Sequence, residues 1–429
     1  MRRLLLFSFL TLVITGAYLN YLEEEPGYIM GTALVTIDRS KPFMTSQFST
    51  GITHTQDDIE LSGGTAATAA ARLLQSSMTY QNAFIMGWGT DDPEPSPGQY
   101  DWDSLDSYVK LMTATGGTPF ISFCCAPGWM RPDGFSDDWQ YIETAPAPYH
   151  DADFAALAAT VAKRYPQVQY FQVWNELKGM WGTDPDATPD VGNHWDYKRY
   201  TTLYNAVYDA VKAVRPDARI GGPYLGADPI DAEGEAIYSY WLNNKHGADF
   251  IVLDGGPEPF RASDEFNASS YFADWVNWLR KQPNGGATLP IGWAEWYPRT
   301  SHGTSDVNRA SAIFLSDMIV TIQAGVSYAF PWGVSGDDEG LTGDPAFPVL
   351  PMTDEGQPTP VFAGIKAVKD YFSVGTPLYK TTVKPGGVTV LASQAKTMLV
   401  NQCGFPLDVI ANGKPFKLAP YQIDVVDTP

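Results

Sequence analysis

Eight times between Gln47 and Phe372 a short apolar run gives way to a longer amphipathic one, and this alternation limits the chain more than any other feature. The apolar runs begin near Gln47, Thr79, Thr118, Val168, Arg219, Phe250, Pro290 and Val326. Each is too short for a helix and rich in β-branched or aromatic residues, so each reads as a buried strand. The stretches between them carry apolar residues at helical spacing. Strands separated by helices pair in parallel, and eight such units predict a closed (β/α)8 TIM barrel. In such a barrel the side chains at the strand C-termini converge on one mouth.

After Phe372 the pattern changes to short alternating runs broken by turn signals, among them Pro385-Gly386-Gly387 and Asn412-Gly413. This predicts a small C-terminal β-sandwich, with a strand from the region Tyr28 to Asp38 as a candidate to complete it. The 429 residues therefore divide into a leader (1–20), an N-terminal segment (21–45), the barrel (46–373) and the accessory β-domain (374–429). The leader reads Met1-Arg2-Arg3 followed by an apolar run to about Leu19, with small residues at Thr15-Gly16-Ala17. That is the form of a secretory signal, so the chain is expected to be secreted. An uncleaved anchor is the rival, since the run falls just short of the ~17 residues that span a bilayer. A net charge of −21 argues against nucleic acid and anionic membrane surfaces as partners.

Two of the expected strands end in the same way. VQYFQVWNELKG, from Val168 to Gly179, stops at Trp174-Asn175-Glu176, and LPIGWAEWYPRT carries Glu295 between Trp293 and Trp296. One carboxylate at a strand end reads as the partner of a nearby Arg. Two at the mouth of one barrel read as a pair, because an apolar wall disfavours the charged form and makes a general acid.

With these motifs in place, the chain resembles the clan A retaining glycoside hydrolases, and within them family 39 and its relatives. The resemblance runs from about Gly51 to about Tyr371 and includes PEPSPGQYDWDSLD at Pro93 to Asp106. It implies that Glu176 is the acid/base and Glu295 the nucleophile, and that Asn175 bonds the sugar 2-hydroxyl. It also implies a carbohydrate substrate and no cofactor; no spacing in the chain suggests a metal site. One departure stands out: relatives place His and Tyr after strand six, where this chain has Asp254.

The other strand ends offer further sugar-facing candidates in His54, Asn82, Trp129, Tyr224, Asp254 and Trp332, with Trp293 and Trp296 beside Glu295. One of these two tryptophans could simply pack in the wall. Aromatic rings suit a sugar-binding cleft, and the chain holds 13 Trp and 23 Tyr. Cys124, Cys125 and Cys403 match no zinc or disulfide framework. They are expected as buried small hydrophobes, with a vicinal disulfide at Cys124-Cys125 as the alternative. Asn267-Ala268-Ser269 is a glycosylation sequon. Three functions remain open at this point: hydrolysis of O-glycosidic bonds by double displacement, transglycosylation by the same chemistry, and a catalytically silent barrel that binds glycans or a protein.

Overall fold

The structure, a computed structural model, describes residues 31–59, 63–132, 142–180, 195–226, 230–257, 265–266, 270–300 and 305–429. The leader and the sequon lie outside the described residues. Two strands precede the barrel, β1 (Ala33–Asp38) and β2 (Met44–Thr45). The barrel strands are β3 (Ser49–Thr53), β4 (Tyr80–Phe84), β5 (Thr118–Phe123) and β6 (Tyr170–Val173), then β7 (Arg219–Gly226), β8 (Phe250–Gly255), β9 (Ile291–Trp296) and β10 (Tyr328–Ala329). All eight pair in parallel, and β10 closes on β3. A helix follows each one, from Gly64–Ser77 after β3 to Pro360–Tyr371 after β10.

The barrel interior is layered, and the layers follow from residue size. Glycines on three strands leave room for rings from their neighbours. A Cβ on Gly51 would lie 2.3 Å from Phe330, one on Gly221 2.2 Å from Phe250, and one on Gly292 2.1 Å from Tyr328. Phe120 stacks on Tyr170 with centroids 4.4 Å apart and meets Phe330 edge-on at 5.2 Å. Above this aromatic floor lies a polar ring. Gln172 donates to Ser122 Oγ at 3.1 Å, Ser122 donates to Asn82 Oδ1 at 3.1 Å, and Tyr328 donates to Gln172 Oε1 at 2.9 Å. Buried polar groups are tolerated here because they satisfy one another.

The second sheet holds eight strands, seven of them on one hydrogen-bonded path and β2 beside that path on β13. It contains β1, β2, β13 (Pro377–Lys384), β14 (Val388–Ser393), β15 (Lys396–Asn401), β16 (Leu407–Ala411), β17 (Lys414–Leu418) and β18 (Ile423–Asp427). Two further strands, β11 (Ser335–Gly336) and β12 (Met352–Thr353), pair in parallel with each other. Strand β13 joins the two halves: its first residues pair with β14, and Lys380 to Lys384 pair with β1. β1 thus lies between β13 and β16, as the N-terminal candidate strand. Val35 and Ile37 of β1, Val390 of β14, Leu399 of β15 and Val409 of β16 share one core. Alternate residues Leu391, Met398 and Val400 face the other way and join the barrel core, as a two-residue period requires. Among the described residues no helix is long and apolar enough to cross a membrane.

All three cysteines are buried, as expected, and Cys124-Cys125 takes the disulfide alternative. Cys124 and Cys125, just past β5, are bonded to each other, while Cys403 is free and buried. Both bonded residues have no exposed surface, so burial alone did not distinguish a bonded pair from two thiols.

The helix Val307–Gln323 carries a fully buried Asp317 whose two carboxylate oxygens have no hydrogen-bond partner. Burial, and then the charge of Glu265, push its pKa well above the ordinary value. A raised folded pKa favours folding below the unfolded pKa, and that advantage is lost as pH rises. Asp317→Asn is therefore expected to raise the thermal midpoint at pH 8, by the equivalent of about 1–3 kcal/mol, and to change it little at pH 4. An equal shift at both values would overturn the electrostatic account.

Candidate active site

Glu295 reaches the mouth because β9 contains a bulge. Leu253 pairs with Trp293 and Asp254 with Glu295, so Ala294 has no partner on β8. Gly292 faces the barrel interior against Tyr328, and strict alternation would therefore turn Glu295 outward. The extra residue reverses the parity and aims Glu295 inward, beside Asp254. The same step turns Trp296 outward, against Phe272 at 5.4 Å and Phe314 at 5.0 Å. Trp293 also packs on Phe272, at 5.5 Å. Both tryptophans expected beside the sugar are thus fully buried in the wall, where helix packing accounts for them.

Glu295 itself is buried and held by two phenols. Tyr224 donates to Oε1 at 2.9 Å, and Tyr297 donates to Oε2. Tyr224 sits at a second register shift, in β7, with a φ of 54°. Burial, and next the charge of Glu176, raise the Glu295 pKa from 4.5 to about 8; Tyr297, Lys178 and Tyr224 oppose the rise. The phenols stabilise the charged carboxylate, while its surroundings favour the neutral acid.

Glu176 follows β6 in a tight turn in which Trp174, Glu176 and Leu177 all have positive φ, at 71°, 47° and 55°. Non-glycine residues adopt this conformation at a cost of about 1–3 kcal/mol each, and clusters of them mark functional turns. The turn is held by the Trp174 indole, which donates to the Lys178 carbonyl at 2.8 Å. It places the Glu176 carboxylate between Lys178 and the end of β7, where a Cβ on Gly226 would lie 3.2 Å from Oε1. One oxygen each from Glu176, Asp254 and Glu295 fall within 4.8 Å of one another. Carboxylates this close can share a proton, and the same spacing would fit a cation. Lys178, bonded to Glu176, already brings positive charge to the cluster.

The remaining candidates separate by what they already bind. Asn175 donates from Nδ2 to Glu143 Oε1 at 2.8 Å and keeps a buried, unpartnered Oδ1 beside Glu176. His54 is corrected to a structural role: Nδ1 pairs with Asp58 at 3.0 Å and Nε2 with Gln81 at 2.9 Å, which commits both ring nitrogens inside the protein. Asn82 is likewise corrected, since it belongs to the interior polar ring below the mouth. Trp332 is half-buried against Phe84 and Trp88, and Trp129 donates to the Glu94 carbonyl at 2.8 Å. These contacts fix both rings in the wall around the mouth. Tyr297, Lys178 and Glu143 were not among the sequence candidates. Tyr297 was within reach of a sequence argument, since extended chain puts residues 295 and 297 on one face.

No protein-family model matches the sequence, and no curated protein matches it either. Solved structures do. A family 39 β-xylosidase from Caulobacter crescentus aligns at 16% identity over 88% of this chain and 83% of its own, with a TM-score of 0.59. An endo-β1,6-glucanase aligns at 12% identity over 94% and 93%, with a TM-score of 0.61. A conserved exported protein from Bacteroides fragilis aligns at 12% identity over 92% and 98%, with a TM-score of 0.63. At these identities the likeness is one of fold: a closed eight-stranded parallel barrel with a second sheet, shared with glycoside hydrolases.

Proposed function

We propose that this chain is a glycoside hydrolase that cleaves O-glycosidic bonds of an oligo- or polysaccharide with retention of configuration. The observation that carries the reading is that one carboxylate oxygen of Glu176 and one of Glu295 lie within 4.8 Å of each other at the barrel mouth. Retaining enzymes need their two carboxyl groups about 5–5.5 Å apart, whereas inverting enzymes leave about 6.5–9.5 Å for a water. The similar folds of a β-xylosidase and an endo-glucanase support the same reading.

Glu295 is the nucleophile. Its carboxylate bonds the anomeric carbon as the bond to the leaving oxygen breaks, and Glu176 gives that oxygen a proton. Glu176 then takes a proton from water, whose oxygen displaces Glu295 and releases the sugar. Asn175, whose Oδ1 has no partner among the described residues, bonds the sugar 2-hydroxyl, and Tyr224 and Tyr297 fix the nucleophile's orientation. Transglycosylation differs only in the acceptor that replaces water.

Incubation with a panel of aryl glycosides tests the proposal. Wild type should release the phenol, NMR should find the first-formed sugar in its original anomeric configuration, and Glu295→Gln should be inactive. Glycan binding without turnover by either protein would favour the silent barrel, and an inverted product would exclude double displacement. Product chromatography on plant, fungal and bacterial cell-wall polysaccharides then identifies the natural sugar.

A further inference from the structure

Lys178 lies two residues past Glu176, and its ammonium touches two carboxylates at once: Glu176 Oε2, and Glu143 Oε1 at 3.0 Å. Glu143 comes from the segment after β5, not from the turn that carries Glu176. It also accepts from Asn175, so it binds both neighbours of the proposed acid. The two segments are pressed together: Gly179 has a φ of +73°, and a Cβ there would lie 2.3 Å from the Glu143 carbonyl oxygen. Burial works against the Lys178 charge, but Glu176, Glu143 and Glu295 outweigh it and hold its pKa above the ordinary value.

Among the described residues, Lys178 faces Glu176 from its own turn, Glu143 from the segment after β5, Asp254 from β8 and Glu295 from β9, and Gly226 lies against it at the end of β7. Tyr224 and Tyr297 bond Glu295, and Arg299 lies over the Tyr297 ring at 5.6 Å. In the ligand-free arrangement the cation sits on Glu176, and burial favours the proton on Glu295. Double displacement requires the proton on Glu176 and an ionised Glu295.

We propose that Lys178 is a positioning residue for the proton of the catalytic pair: on Glu176 it keeps the site idle, and passed to Glu143 it lets the proton settle on Glu176. The inference rests on the reading of Glu176 and Glu295 as that pair. In the exchange one proton leaves Glu295 for Glu176, and one ammonium moves from Glu176 to a carboxylate it already touches. Entry of a glycoside between the two glutamates drives the exchange, because the leaving oxygen takes the place beside Glu176 that Lys178 occupied.

Titration of side-chain ¹³C-labelled glutamates by NMR tests this without needing turnover, with resonances assigned through Glu176→Gln and Glu295→Gln. In Lys178→Gln the Glu176 signal should titrate about one pH unit higher than in wild type, because a nearby cation no longer favours its charge. Lys178→Arg should restore the wild-type curve. The pH–rate profile on an aryl glycoside should agree, with its alkaline limb about one pH unit higher in Lys178→Gln and lower in Glu143→Gln, where the ammonium stays on Glu176. An unmoved Glu176 titration in Lys178→Gln overturns the inference, as does turnover with an unmoved limb, and both leave the glycosidase reading intact. A wild type inactive on all glycosides, with the Glu176 titration shifted as expected, would sink the reading and keep the electrostatic role.

Discussion

On a dinitrophenyl glycoside, whose leaving group needs no proton, Glu295→Ala is expected to show no turnover and Glu176→Ala a burst followed by slow turnover. Without Glu295 no covalent intermediate forms, so the loss extends to every substrate. Without Glu176 the first step survives on the activated substrate, and the intermediate accumulates because the second step lacks its base. On a natural glycoside Glu176→Ala should lose the ~10²- to 10⁴-fold that a positioned acid supplies. Azide sharpens the test, since it attacks without base assistance. It should rescue Glu176→Ala with a glycosyl azide of retained configuration, and Glu295→Ala with the inverted one. The inverted azide from Glu176→Ala would exchange the two roles, and full activity of either variant on a natural substrate would remove the mechanism.

The barrel was legible in the sequence because its strands are buried on both faces. β5 reads ThrProPheIleSerPhe and is buried at every position after its first residue, and such a run is continuous in sequence and bounded by turns. The second sheet was harder to read. Strands β1 and β13 alternate clearly in burial, but β13 changes partners halfway along, from β14 to β1. That switch depends on Ala33–Asp38 arriving from the far end of the chain, and no local pattern announces it. The Cys124–Cys125 bond was equally hidden, since a buried thiol and a buried disulfide need the same apolar neighbours.

For the candidate site, sequence pattern located the two glutamates but not the groups that govern them. Glu176 and Glu295 are conspicuous as carboxylates at the ends of apolar strands. The errors came from assuming that polar and aromatic residues near strand ends face the ligand. His54 and Asn82 face inward, and their hydrogen bonds are spent on Asp58, Gln81, Ser122 and Gln172. Trp293 and Trp296 lie on the outer side of a bulged strand, whose parity cannot be read without its partner. Lys178 and Glu143 meet across a gap of 35 residues because the segment after β5 folds back onto the β6 turn, which is a tertiary event with no periodic signature.

The raised pKa of Glu295 carries a consequence for stability that does not depend on finding a substrate. Its folded value lies near 8 and its ordinary value at 4.5, chiefly because of burial and then because of Glu176. Below about pH 4.5 both folded and unfolded chains hold the proton, and the group does not oppose folding. As pH rises toward 8 the unfolded chain ionises while the folded one does not, so stability falls through that window. A tenfold difference in proton affinity between the two states is worth about 1.4 kcal/mol, which puts the cost at neutral to mildly alkaline pH on the order of a few kcal/mol. Glu295→Gln has the shape of the protonated acid, and the hydroxyls of Tyr224 and Tyr297 can turn to bond an amide. The variant should therefore match wild type in urea unfolding at pH 4.5, exceed it increasingly at pH 6 and pH 8, and be inactive throughout. A stability difference that stays constant over this range would mean that the pair does not hold a proton on Glu295. The proposal that Lys178 positions the proton of the pair would then lose its starting state, because Glu295 would hold no proton to pass to Glu176.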